Sequence, residues 1–161
     1  MEIQAQIEKF IVDAQESCAY FVKTFSFVPD DKLNYSPSDS ARSPLQLAAH
    51  VALANGVFAG FIQGESVEFP GDADDFREWQ RMQEESFEDR SVVVDLLQYN
   101  TNEAIEAMRL MTPELYATSP VSPFGPMPMP FWMHLVSMHL NVHASQIDYL
   151  QTIWGDLEDH F

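Results

Sequence analysis

The sequence predicts an all-α domain, a four-helix bundle with long crossover connections, and three observations carry that expectation. Four long segments repeat apolar residues at three- and four-residue steps, the period of a helix with one buried stripe. No segment alternates convincingly as a strand would, and Pro, Ser and Asp gather between the periodic segments. With 161 residues, a hydrophobic fraction of 46% and 12 Phe, the chain is long and apolar enough for one core, so a single domain over 1–161 is expected.

The first helix carries Ile3, Ile7, Phe10, Ile11, Ala14, Cys18, Phe21 and Phe25 on one stripe and should stop before Pro29. A linker, "PDDKLNYSPSDSARS", follows with the chemistry of turns. At its end "SPLQ" reads as a capping box: Ser43 as N-cap, Pro44 at the first helical position, Gln46 reaching back to the cap amide. The second helix therefore runs from Pro44 to Gln63, where Gly64 offers a stop, with Leu47, His50, Val51, Ala54, Phe58 and Phe61 facing inward.

Residues 72 to 90 are strongly charged, with Phe76, Trp79 and Met82 as isolated apolar points, and read as a short exposed helix or lid. From about Ser91 the pattern Val94, Leu97, Ala104, Ile105, Met108, Met111 gives a third long helix ending near Pro113. "TSPVSPFGPMPMP" holds five prolines in thirteen residues and is a loop, since proline removes ladder and helix donors alike. The fourth long helix opens near Pro130 and closes at Gly155. The connections between the first two and the last two long helices are long enough to cross an end of the bundle.

Charge and cysteine content narrow the function. Eight Lys and Arg against 25 Asp and Glu give a formal charge of −17, which repels nucleic-acid phosphate and anionic membrane surfaces. Cys18 stands alone, so no intrachain disulfide or cysteine-rich zinc knuckle forms. The N-terminus lacks the pattern of a secretory signal, and no uncharged apolar run is expected to approach the ~18 residues of a membrane span. A cytoplasmic protein that binds neither nucleic acid nor membrane is the expectation.

Chemistry concentrates in the histidines. His139 and His143 are four apart on one helical face, with Leu135, Val136, Gln146, Leu150 and Ile153 on the same stripe, so both imidazoles are expected to point inward. Leaving buried imidazoles without partners costs roughly 1–3 kcal/mol for each unsatisfied group. His50 is a third inward imidazole on the second helix, and three neutral imidazoles converging in a bundle suit a divalent metal. Spacing alone leaves two readings open: metal ligands, or interior histidines that bond to each other and to water. His134 is rotated off the face, and His160 is expected in a solvated tail. Asp95, Glu103 and Asp148 are candidate partners for a ring N–H, although solvated helix faces explain them equally. Phe124, Met127, Met129, Phe131, Trp132 and Met133 can line a pocket mouth or a subunit interface; a cap over the bundle end is the preferred reading.

Taken in order, the N-terminal helix, the segment "PDDKLNYSPSDSARSPLQLAAHVA" leading to one histidine, and "HLNVHASQ" on the last long helix resemble the DinB-like, or YfiT-like, family of metal-dependent enzymes. The resemblance implies a metal triad at His50, His139 and His143, zinc or nickel as the usual occupant, and a homodimer. It also implies a small-molecule substrate and, as in relatives that use bacillithiol or mycothiol, a low-molecular-weight thiol activated at the metal for transfer to an electrophile. The family's frequent His-x3-His-Arg-Gly-Gln becomes His-x3-His-Ala-Ser-Gln here: Ala144 and Ser145 replace the Arg and Gly, and Gln146 is retained. The loss of the arginine removes a cationic contact on which substrate choice would depend. The alternative function is a non-catalytic, metal-stabilised small-molecule binding or stress-response module.

Overall fold

The computed structural model describes residues 2–160. Its elements are α1 (Glu2–Ser26), a 3-10 turn (Asp30–Lys32), α2 (Pro44–Gln63), α3 (Ala73–Glu85), α4 (Arg90–Arg109), α5 (Pro113–Tyr116), β1 (Val121–Ser122), β2 (Gly125–Pro126) and α6 (Met129–Ile153). The four long helices α1, α2, α4 and α6 form the bundle. Its core includes Phe21, Phe25, Leu45, Phe61, Leu97, Met108, Met133 and Leu140, all essentially inaccessible to water.

Local chemistry sets the boundaries of α2. The Ser43 side chain accepts from the Gln46 backbone N–H at 3.2 Å, and the Gln46 side chain accepts from the Ser43 N–H at 2.9 Å. Two amides that a helix start would otherwise leave unpaired are thereby satisfied. At the other end Gly64 takes φ 81°, the left-handed conformation that closes a helix without Cβ strain. This helix corrects one expectation. Residues 44–63 contain no charged side chain and are long and apolar enough to span a membrane, but 72% of that stretch is buried inside the protein. Its packing against α4, α6 and α3, not lipid, accounts for its composition.

The order of the helices around the bundle follows from their contacts. Each of α1 and α2 packs against both α4 and α6, so α1 and α2 occupy one diagonal. The pairs Phe10–His134, Asn141–Ser17 and Gln151–Thr24 advance together, which makes α1 and α6 parallel. His50–His139 and Phe61–Trp132 run in opposite senses, which makes α2 and α6 antiparallel. Arg90, at the start of α4, donates to the carbonyls of Phe25 (2.8 Å), Ser26 (3.3 Å) and Val28 and lies over the Phe25 ring. This clamp satisfies the C-terminal carbonyls of α1 with a cation and sets α4 antiparallel to α1. It follows that α2 and α4 are parallel neighbours. A connection between parallel helices must travel back along the bundle, and α3 is that return segment. Residues 72–90 are thus a structural crossover rather than a free lid.

Other expectations are corrected in detail. Ile3 and Ile153 are 44% and 45% exposed because they sit at helix ends, beyond their neighbours. The proline-rich loop contains a two-stranded hairpin with Ser122 opposite Gly125, held by the Ser122 hydroxyl donating to the Gly125 carbonyl. His160 is 6% exposed, not solvated. Gly155, at φ 93°, turns the chain back over the end of α1, where the His160 ring stacks on Phe27 and bonds Asp156 at 2.9 Å.

Candidate metal centre

α2 and α6 cross so that His50 meets His139 and His143 at the edge of their buried stripes. The Nε2 of His139 lies 3.1 Å from the Nε2 of His50 and 3.1 Å from the Nε2 of His143. One donor nitrogen from each of the three residues lies within 4.8 Å of the others. Two nitrogens each 2.0–2.1 Å from a tetrahedral zinc would be about 3.3 Å apart, so the spacing suits a shared ion.

The outer partners fix which nitrogens carry protons. Glu84 is a carboxylate and can only accept, so the Nδ1–H of His50 donates to its Oε1 at 2.7 Å. The Nδ1 of His143 likewise donates to Gln146 Oε1 at 2.7 Å. Both assignments leave a lone pair on Nε2, aimed at His139. A proton on the Nε2 of His139 can satisfy one of those lone pairs and leaves the other unmatched. A proton on its Nδ1 instead leaves three lone pairs converging, and that Nδ1 is buried without a partner among the described residues. A cation is the group that answers three converging lone pairs at once.

The electrostatics favour the same state. Burial, then the neighbouring His143 and His50, hold the His139 ring well below its usual pKa. Burial and His50 push His143 down to about 4, with the Gln146 bond acting the other way. Both imidazoles are therefore neutral around neutral pH, the form that ligates. Burial alone would raise the Glu84 pKa, but hydrogen bonds from His50 and Arg42 outweigh it and hold it low. Arg42 donates to Glu84 through Nε at 2.6 Å and Nη2 at 3.1 Å.

Glu84 was not among the residues expected from the sequence. Asp95 is exposed and Glu103 and Asp148 are half-buried; among the described residues the ring nitrogens bond Glu84, Gln146, Asp156 and one another rather than these three. A faint signal existed in "DADDFREWQRMQEESFEDR", where Phe76 and Glu84 fall eight apart on one face of α3, both buried. Gln146 does brace His143, although its side chain sits at an exposed position. His134 is exposed against Phe10 and takes no part.

A cavity of about 310 Å³ opens beside His50 and His139. Phe124, Met127, Phe131 and Trp132 line it, so this group forms a pocket wall rather than a bundle-end cap, while Met129 and Met133 are core residues. Among the described residues, the metal-competent cluster comprises the three histidines and no fourth His, Cys, Asp or Glu. Three protein ligands would leave a further coordination position for water or a substrate, as catalytic rather than structural zinc sites do.

Similar folds are known. The structure matches YfiT from Bacillus subtilis, described as a probable metal-dependent hydrolase with an unusual four-helix bundle topology, at a TM-score of 0.74 and 18% identity, covering 92% of this chain and 87% of that one. It matches the DinB-like protein YjoA from Bacillus subtilis at 0.67 and 15% identity, covering 95% and 96%. A mycothiol-dependent maleylpyruvate isomerase matches at 0.70 and 15% identity over 88% of this chain, which spans 60% of the isomerase's length. At these identities the likeness is one of fold. No curated protein sequence matches. The three histidines all lie within the residues, 14–147, that the DinB superfamily profile matches, and the chain belongs to the DinB superfamily.

Proposed function

We propose that the protein is a metal-dependent enzyme in which His50, His139 and His143 hold a divalent ion, zinc or nickel, and act on a small electrophilic molecule in the adjoining cavity. The observation that carries this reading is the convergence of imidazole lone pairs whose tautomers are set by Glu84 and Gln146. A divalent ion held there would supply the positive charge that lowers the pKa of water or of a small-molecule thiol and so presents a nucleophile near neutral pH. The chain's own part is positional. Glu84 and Gln146 orient two rings, burial keeps His139 and His143 unprotonated, and the apolar wall excludes bulk water from the open side.

Thiol transfer is the favoured form of the chemistry because a protein of the same fold is described as mycothiol-dependent. We take the acting unit to be a cytoplasmic homodimer, which light scattering on the purified chain checks. The test of the central reading is elemental analysis after expression with zinc or nickel supplied, paired with His143→Ala. One ion per chain in the wild type and none in the variant is expected, with thiol consumption on a model electrophile lost in parallel. Wild-type protein without stoichiometric metal would overturn the proposal, and bound metal without turnover would favour the non-catalytic module.

A further inference from the structure

We infer that the cavity beside the histidines takes an uncharged aromatic molecule, its ring system packed against Phe61, Phe69, Phe76 and Trp132 and its single polar end turned toward His50 and His139. This specifies the substrate class of the site proposed above, and its orientation rests on that reading.

The lining carries the argument. The Phe61 and Trp132 rings are 4.3 Å apart and tilted by 30°, Phe69 meets Phe76 edge-on at 5.0 Å, and Phe58 stands edge-on to His139 at 5.5 Å. Such faces and edges form offset and T-shaped contacts with another ring. The walls include no Lys, Arg, Asp or Glu, and away from the histidines their polar side chains are Gln80 and Ser122. A charged substituent on the body of a ligand would lose its water there without gaining a counter-ion. Two cations stand near it, both already paired: Arg77 lies over the Phe124 ring at 5.5 Å and is ion-paired with Asp74, and Arg42 is paired with Glu84 behind the lining. The net charge of −17 repels anions at long range, while a cation bound by the histidines would oppose a cationic ligand at short range. At about 310 Å³ the space falls at the small end of pockets that take organic ligands.

The test is calorimetric titration of the zinc-loaded chain with three ligands of one ring system: 2-naphthalenemethanol, 2-naphthalenesulfonate and 2-naphthyltrimethylammonium. The alcohol is expected to bind at least tenfold more tightly than either charged ligand, and Phe124→Glu at the exposed rim to weaken it severalfold. Equal or tighter binding of a charged ligand, or no binding of the alcohol up to its solubility, would overturn the inference. Repeating the titration after chelator treatment separates the two proposals. Alcohol binding retained by a chain that never held metal supports the aromatic site while the metal reading fails; stoichiometric zinc with no alcohol bound leaves the metal reading standing and sinks this one.

Discussion

Glu84→Gln removes one negative charge from the interior and changes almost no volume. In the native protein this carboxylate is 1% exposed and accepts from Arg42 at 2.6 and 3.1 Å and from His50 at 2.7 Å. The amide keeps one acceptor oxygen for one of these donors and turns an NH2 group toward the other. Each hydrogen bond to a charged group contributes roughly 1.5–3 kcal/mol, and leaving a guanidinium N–H partly unpaired adds to the loss. Arg42 is 28% exposed, so water recovers part of that cost. A net destabilisation of about 2–4 kcal/mol is expected, read from urea unfolding of the metal-free chain. Because His50 also loses the partner that fixes its tautomer, zinc affinity should fall by about 10–100-fold, measured by competition with a chromophoric chelator. An affinity within threefold of wild type would refute the claim that Glu84 orients a ligand, even if stability dropped as expected.

Stability of the metal-free chain should depend on acidity through His143. Its folded pKa of about 4 lies below the 6.5 of an unperturbed histidine, so as pH falls the unfolded chain takes the proton first. The stabilisation is fully present above about pH 6.5 and is lost progressively toward about pH 4, by about 3 kcal/mol in all. His139, also held low, acts in the same direction. Urea midpoints that stay level across this range, or that fall equally in His143→Gln, would contradict it. In the core, Asn55 donates to the Thr101 hydroxyl at 2.9 Å, and that hydroxyl donates to the Leu97 carbonyl at 2.7 Å. Thr101→Val leaves the Asn55 amide without its acceptor and should cost about 1–3 kcal/mol in chemical denaturation. Ser43→Ala removes the cap of α2 and should lower stability by about 1 kcal/mol; an unchanged melting curve would show that the cap is dispensable.

The helices were legible because their signals are local. A cap acts within three residues and an apolar stripe repeats within four, so "SPLQ", Gly64 and the periodic segments locate α2 and the long helices without knowledge of their neighbours. The histidine pair on α6 follows from the same helical geometry, and the order of "LAAHVA" and "HLNVHASQ" along the chain pointed to His50 as the third member.

What only the tertiary structure decided is which distant groups meet. Glu84 and His50 are 34 positions apart, and one carboxylate in a charged run looks like any other until α3 is laid against α2. That placement follows from α2 and α4 being parallel, since the chain must then return along the bundle between them. The burial of His160 and the hairpin that brings Phe124 to the cavity are products of the same long-range packing. The sequence by itself determined the four long helices, the capping box of α2 and the three imidazoles; the arrangement of the helices decided the carboxylate bonded to one of them and the aromatic cavity beside them, because burial and charge pairing depend on neighbours that no short window of sequence contains.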